Sequence, residues 1–521
     1  MGLPRSAFIA LLVTLMAAPR AEATDSSGPA EIVSLPPPPD APVAFTLADL
    51  LPDAIARHLG DPQFQIHPKL PRKEREAIAA FYALGGFKPL WIGGEGTWTP
   101  AARALIAQIR KAEEDGLEAS DYPIPVPPEP TRGQAAAEIA AAELRLSATA
   151  VQYARDARGA RIEPARLSRL ITPKLDLPSG DAVLTRIAAA ADPGAALASY
   201  QPPHSGYLAL KAKLADVRSG KAPAGEGSRS LSQLEGDIIA NMERWRWLPA
   251  DLGRRHVWVN VPEFKLRLVE NGRPIHEARV IVGKPETPTP IFSDEMDHAV
   301  VNPSWYVPPS IFRNEFHSDP ALAAARGYEV RRTKDGGWSI RQPPGERNAL
   351  GFIKFMFPNQ HSVYLHDTPN RNLFSAERRA FSHGCVRLDQ PFRFADFVLG
   401  AEWTEARLKS LIGKGERTIR LPEKIPVHLT YFTLAVGNRG ELTRVADLYA
   451  FNNKVRVALG LPSDGTAVAQ TAPKATEATR VRTAARRAPP RRAQAAVRYA
   501  YPPPYPYYTP YTPSYFWWVT R

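Results

Sequence analysis

Tyr364 to Leu388 reads YLHDTPNRNLFSAERRAFSHGCVRL, and this stretch decides both the fold and the chemistry. It opens with an apolar strand-like run, Val363-Tyr364-Leu365, that ends at His366, and it closes on Ser382-His383-Gly384 followed by Cys385, the one cysteine of the chain. The residues between, Asp367 to Phe381, are polar and include a proline, so they read as a surface loop that brings the chain back to where it left. The reactive form of cysteine is the thiolate, and a nearby imidazole can take the thiol proton. Glycine before the cysteine permits a tight backbone in which successive N–H groups converge on a developing oxyanion. Cysteine–histidine acyl chemistry follows from these residues, although the substrate does not.

Around this segment the hydrophobic period is two. Strands are expected at His256 to Val261, Lys265 to Glu270 and Ile275 to Val282, the last two joined by the hairpin signal Asn271-Gly272. Further strands are expected near 298–302, 351–357 and 362–366, with a last hairpin pairing 426–436 with 441–445. The β-rich domain then runs from about 246 to 460. Between 309 and 347 the alternation lapses into a charged, helix-like stretch, which reads as an inserted lid.

The region 45–218 has the helical period instead. Thr99-Pro100 reads as a cap followed by a first-turn proline, and 135–158 is a long alanine-rich helix. It shows no metal cluster and no nucleophile–base pair, so it is expected to be a helical scaffold. Residues 219–232 look like a linker, and a short amphipathic helix follows to about 247, making 219–245 the connector. The fold class is thus α+β: a helical scaffold, a mainly β catalytic domain with an inserted lid, and a tail.

The ends of the chain differ in composition from its middle. Arg5, the apolar run Ala7 to Ala18 and Ala21-Glu22-Ala23 have the form of a cleavable signal peptide spanning 1–23, so export to the periplasm is expected. A Pro-rich spacer fills 24–44. From 461 to 521 the chain is basic and then rich in Tyr and Pro, a composition expected to be disordered when free. This tail carries nine Lys or Arg against two acids, over half of the formal net charge of +13. In an exported protein that charge suits an envelope polymer or an outer-membrane protein rather than nucleic acid. One cysteine in such a chain can make no intramolecular disulfide and no multi-cysteine zinc site, and must be either inert or reactive.

His366, about fifteen residues and then Ser382-His383-Gly384-Cys385 resemble the signature of the YkuD-type L,D-transpeptidases. Val282-Gly283-Lys284-Pro285, Thr289-Pro290, Asn302-Pro303 and Asn348-Ala349-Leu350-Gly351 extend the likeness. The run Asn302 to Pro309 and the N-terminal Phe81-Tyr82, Pro89-Leu90-Trp91, Asp115-Gly116-Leu117 and Asp121-Tyr122 are similar to the larger, YcbB-like Gram-negative subgroup. The resemblance implies Cys385 as nucleophile, His366 as proton acceptor and donor, and the Asp367 carbonyl as the group orienting His366. It gives His383 and Gly384 the shaping of the site and the oxyanion N–H groups. Arg387, Ser382, Tyr364 and Trp305 become candidate substrate contacts, with Arg387 on a substrate carboxylate. It also implies peptidoglycan stem peptides as substrate, a thioester, release of D-alanine and a 3-3 cross-link, with no metal or organic cofactor. Hydrolysis of the same thioester, or wall tethering without catalysis, are the alternative readings. The larger relatives often carry a small peptidoglycan-binding module before the catalytic domain, and the 219–235 interval is too short to hold one.

Overall fold

The computed structural model describes residues 46–127, 135–221, 230–437 and 439–463. The expected signal peptide and Pro-rich spacer, most of the tail and the centre of the 219–232 linker lie outside the described residues.

The scaffold is helical, as its period requires: α1 (Leu47–Gly60), α2 (Arg72–Leu84), α3 (Pro100–Ile109), α4 (Ala135–Ala157), α5 (Pro164–Leu167), α6 (Gly180–Ala188), α7 (Pro193–Ala198) and α8 (Ser205–Arg218). Thr99 caps α3 by accepting the Ala102 N–H at 3.1 Å, with Pro100 in the first turn. Helix α4 is buried on nearly every face, because its alanines let neighbouring helices approach closely all round it. Its Glu143 carboxylate is fully buried and accepts the N–H groups of Leu90, Trp91 and Ile92 together with the Tyr82 hydroxyl. The Trp91 indole donates to Ser147 at 2.7 Å. The aromatic motif between 81 and 91 is therefore an anchor onto α4.

The helix expected after the linker is present, but it is more deeply buried than an amphipathic connector. Helix α9 (Leu231–Arg246) is a central strut, buried over Gly236 to Arg244. Its Asp237 binds Arg456 at 2.7 Å on the last helix, and its Asn241 accepts the Thr433 N–H at 3.0 Å. Its Arg246 reaches back to the scaffold and donates to the Asp115 carbonyl at 2.5 Å. Asp237 pairs with Arg456 and Glu243 with Arg246, and such pairing is what lets these charges be buried.

The catalytic region is built on β1 (Arg255–Asn260), β2 (Lys265–Glu270), β3 (Arg273–Gly283), β4 (Phe292–Val301), β5 (Trp305–Tyr306), β6 (Glu329–Arg332), β7 (Trp338–Gln342), β8 (Ile353–Met356), β9 (Leu365–His366), β10 (Ala380–Ser382), β11 (Val386–Leu388), β12 (Arg417–Thr430), β13 (Leu434–Val436) and β14 (Leu442–Arg444). Nine of these form one sheet in the order β10-β3-β11-β9-β8-β4-β12-β1-β2, and β2 pairs again with β3, so the ladder closes on itself. The β2–β3 hairpin turns at Asn271-Gly272, as the alternation required. Helices α12 (Pro391–Val398), α13 (Glu405–Lys409) and α14 (Phe451–Ala458) add Phe394, Leu408 and Val455 to the same core as the sheet.

Several expected elements differ, and the strand expected near 298–302 already begins at Phe292. The strand expected over 426–436 is two, because β12 ends at Thr430 and only β13 joins β14 in the hairpin. The strand expected from 362 starts at Leu365, since the preceding Asn359 side chain binds the Val363 N–H and C=O and holds a turn there. The inserted stretch 309–347 is not only helical: after α10 (Pro309–Phe316) and α11 (Pro320–Ala325) it adds β6 and β7, which with β5 make a separate three-stranded sheet. Val307, Phe312, Phe316, Ala323 and Ile340 give it a small core of its own. Asn348 fastens both roots of this insertion by donating to the carbonyls of Pro303 at 3.1 Å and Pro343 at 2.8 Å.

The scaffold sequence also enters the catalytic core. Ile162 and Ile171 pack in it, and Ile171 bridges to Ile291. Thr172 meets His361 at 2.7 Å, which links the scaffold sequence to the catalytic domain.

Candidate active site

Strand register assembles the site. In the parallel β9–β11 pair, His366 lies opposite Arg387 and Leu365 opposite Val386. In the antiparallel β8–β9 pair, Lys354 lies opposite His366. Side chains alternate faces along a strand. Leu365, Val386, Leu388 and Phe355 therefore fill the core, while His366, Arg387 and Lys354 stand together on the other face with Tyr364 and Cys385.

His366 is 4% exposed and its Nδ1 lies 2.5 Å from the Asp367 carbonyl. A carbonyl only accepts, so Nδ1 carries the hydrogen and Nε2 is left with a lone pair for a proton. Burial, then the Arg387 charge, hold the imidazole pKa down to about 3. Asp367 contributes more than its carbonyl. Its carboxylate is buried, accepts the Phe352 N–H at 3.0 Å and pairs with Arg371 at 3.1 Å, where the sequence suggested a solvated loop group.

The turn before Cys385 is held from both sides. Gly384 has φ +119°, a conformation that favours glycine. Its carbonyl accepts from Thr289 Oγ1 at 2.8 Å, and Thr287 Oγ1 donates to the Ser382 carbonyl at 3.1 Å. The Ser382 hydroxyl donates to the Cys385 carbonyl at 2.5 Å and accepts the Gly384 N–H at 3.1 Å. Ser382 is buried with its hydroxyl engaged inside the turn, and the Gly384 N–H is committed to that hydroxyl. The N–H groups of His383 and Cys385 have no acceptor among the described residues.

The half-buried Cys385 thiol donates to the Ser362 carbonyl at 3.9 Å, and no hydrogen bond joins it to His366. Burial pushes the thiol up to about 11. Tyr364, whose hydroxyl bonds to the sulfur and to the Trp305 indole, has its pKa raised by burial and then by Cys385. Trp305 thus belongs to the wall of the site at the lid root. His383 pairs with Glu315 of α10 at 3.1 Å, tying the inserted stretch to the turn before Cys385. Arg387 makes no ion pair, and its buried Nε has no partner.

Residues 254–427 match the family model described as the L,D-transpeptidase catalytic domain (YkuD), and residues 76–214 match that of a scaffold domain. The chain carries a YkuD-type L,D-transpeptidase domain. A curated protein of Haemophilus influenzae, a putative L,D-transpeptidase, is 31% identical over 250 residues, which are 44% of this chain and 50% of that protein. The chain therefore spans about half the length of the curated relative it matches. Among solved structures, an L,D-transpeptidase from Mycobacterium smegmatis is 13% identical over 34% of this chain and 58% of its own, with a TM-score of 0.19. L,D-transpeptidase 3 from Mycobacterium tuberculosis in complex with a faropenem-derived adduct is 14% identical over 34% of this chain and 60% of its own, also at 0.19. Scores this low add nothing to the assignment, which rests on the domain matches.

Within the L,D-transpeptidase domain, then, Cys385, His366, Tyr364, Arg387, His383, Gly384 and the Asp367 carbonyl converge, with Trp305 at the rim. Lys354 shares their face and was missed, because alternation in β8 marks it only as an outward polar residue. A thiol near 11 beside an imidazole near 3 makes the resting pair neutral, not an ion pair. Alkylation of Cys385 by iodoacetamide should therefore rise about tenfold per pH unit between pH 6 and 9. A plateau below pH 8, followed by intact mass, would instead reveal a thiolate–imidazolium pair.

Proposed function

We propose that the protein is an exported L,D-transpeptidase acting on peptidoglycan in the periplasm. In the first half-reaction the Cys385 sulfur attacks the carbonyl joining the third residue of a tetrapeptide stem to its terminal D-alanine. His366 Nε2 takes the thiol proton and returns it to the departing amine, so D-alanine leaves and a thioester remains. The N–H groups of His383 and Cys385 stabilise the oxyanion between these states. In the second half-reaction a side-chain amine of a neighbouring stem attacks the thioester, forming an amide, the 3-3 cross-link, and restoring the thiol. Arg387 holds a substrate carboxylate.

The observation that carries this reading is the convergence of Cys385, a buried His366 with its Nε2 free, and the unpartnered Arg387 guanidinium on one sheet face inside the L,D-transpeptidase domain. The test is product analysis with a disaccharide-tetrapeptide donor. A cross-linked dimer with one D-alanine released per link is expected when a second stem supplies the amine. Tripeptide alone, with the acceptor present, would make the enzyme a carboxypeptidase. No product, with stem peptides bound but unchanged, would leave a tethering protein.

A further inference from the structure

β8 places one charged residue on the reacting face, and no step above uses it. Lys354 lies opposite His366 in the ladder, and its Nζ is 5.7 Å from the centroid of the Tyr364 ring, whose hydroxyl bonds to the Cys385 sulfur. The side chain is only partly exposed, yet the ammonium makes no hydrogen bond and no ion pair with any described residue. Burial lowers its pKa, while Glu416 and then Cys385 act in the opposite sense. A desolvated cation without a partner is unfavourable unless an anion forms beside it during function.

The groups that face the sulfur are few. They are Tyr364, just before β9, Arg387 from β11 and Lys354 from β8, and the same two cations act on His366 of β9. The Glu315 carboxylate is the lid's contribution, acting on His383 and Arg387, with Lys284 also near His383 and Glu416 beyond Lys354. Since His366 remains neutral, the positive charges acting on the sulfur come from Arg387 and Lys354.

We propose that Lys354 is a positioning residue whose ammonium, set over the Tyr364 ring, stabilises Cys385 as the thiolate. This rests on the reading of Cys385 as nucleophile. The division of labour is physical: Lys354 sits behind Tyr364 and acts on the sulfur through space and through the tyrosine hydroxyl, which leaves the Arg387 fork for the planar carboxylate of a substrate. The cation–π contact keeps the ammonium near the sulfur while both are half desolvated.

The experiment is the pH profile of Cys385 alkylation by iodoacetamide, a neutral reagent that no cation can steer, on the full chain and on Lys354→Met, Lys354→Gln and Lys354→Arg. The expected result is alkylation about three- to tenfold slower in the Met and Gln variants at each pH from 7 to 9. Their profiles should move alkaline by about half to one unit, with Arg close to the parent. Met and Gln variants that keep the parent profile overturn the proposal, as does an Arg variant as slow as Met, since shape rather than charge would then matter. A parent protein whose Cys385 does not alkylate at all removes the nucleophile reading itself, and this proposal with it.

Discussion

Replacing His366 with glutamine should slow acylation of Cys385 by about 10²- to 10⁴-fold, the range general-base catalysis supplies, while leaving the fold in place. Burial pushes the thiol up to about 11, which leaves the thiol form dominant at pH 7, so a base has to take the proton as the sulfur attacks. His366 can take that proton because the Asp367 carbonyl fixes the hydrogen on Nδ1 and leaves the Nε2 lone pair open. The thiol must first turn away from the Ser362 carbonyl, its partner at rest. Glutamine keeps most of the volume and can still reach the Asp367 carbonyl, but its amide is not a base. Time-resolved intact mass with a carbapenem would measure the rate, with Cys385→Ala as the zero. A His366→Gln variant acylating within a few-fold of the parent would show that the thiol ionises without the imidazole.

Gly351→Ala should cost about 3–5 kcal/mol of stability and slow acylation at least tenfold in whatever remains folded. Gly351 has φ +61°, and a Cβ there would lie 2.4 Å from the Asp367 carboxylate. That carboxylate has no room to retreat: it is 1% exposed and bound to the Phe352 N–H and to Arg371. Displacing it leaves a buried charge unpaired and shifts the carbonyl that sets the His366 tautomer. Gly272→Ala is the control, with a similar φ of +74° in the β2–β3 turn but nothing within 4 Å of the added carbon, and should cost only about 1 kcal/mol. Urea unfolding of both variants separates strain alone from strain plus collision. Equal losses would mean that Asp367 yields easily and does not position the base.

Lid and turn show how motif residues earn their places by contacts rather than by chemistry. Asn348 fastens the lid roots, and Thr289 holds the Gly384 carbonyl. Both stood out in the sequence, yet only as letters of a resemblance. Ser382 looked like a substrate contact because a hydroxyl next to a nucleophile turn is ambiguous until its partners are known. Asp367 was legible for its carbonyl, which depends on chain position, but not for its carboxylate, whose partners are Phe352 and Arg371.

The sequence by itself determined what local pattern encodes: a helical first half, the β2–β3 hairpin from alternation and Asn-Gly, the Thr99 cap, and a cysteine and histidine returned to each other by a polar loop. Period, turn chemistry and spacing are short-range properties, and they survive without knowledge of partners. Only the tertiary structure decided that α9 is a buried strut, that the lid carries its own sheet, that the thiol rests neutral on Ser362, and that Lys354 stands opposite His366. Each of these depends on which distant group meets a charge or a polar atom, and that pairing sets whether burial is tolerated, how far a pKa moves and which side chains share a face.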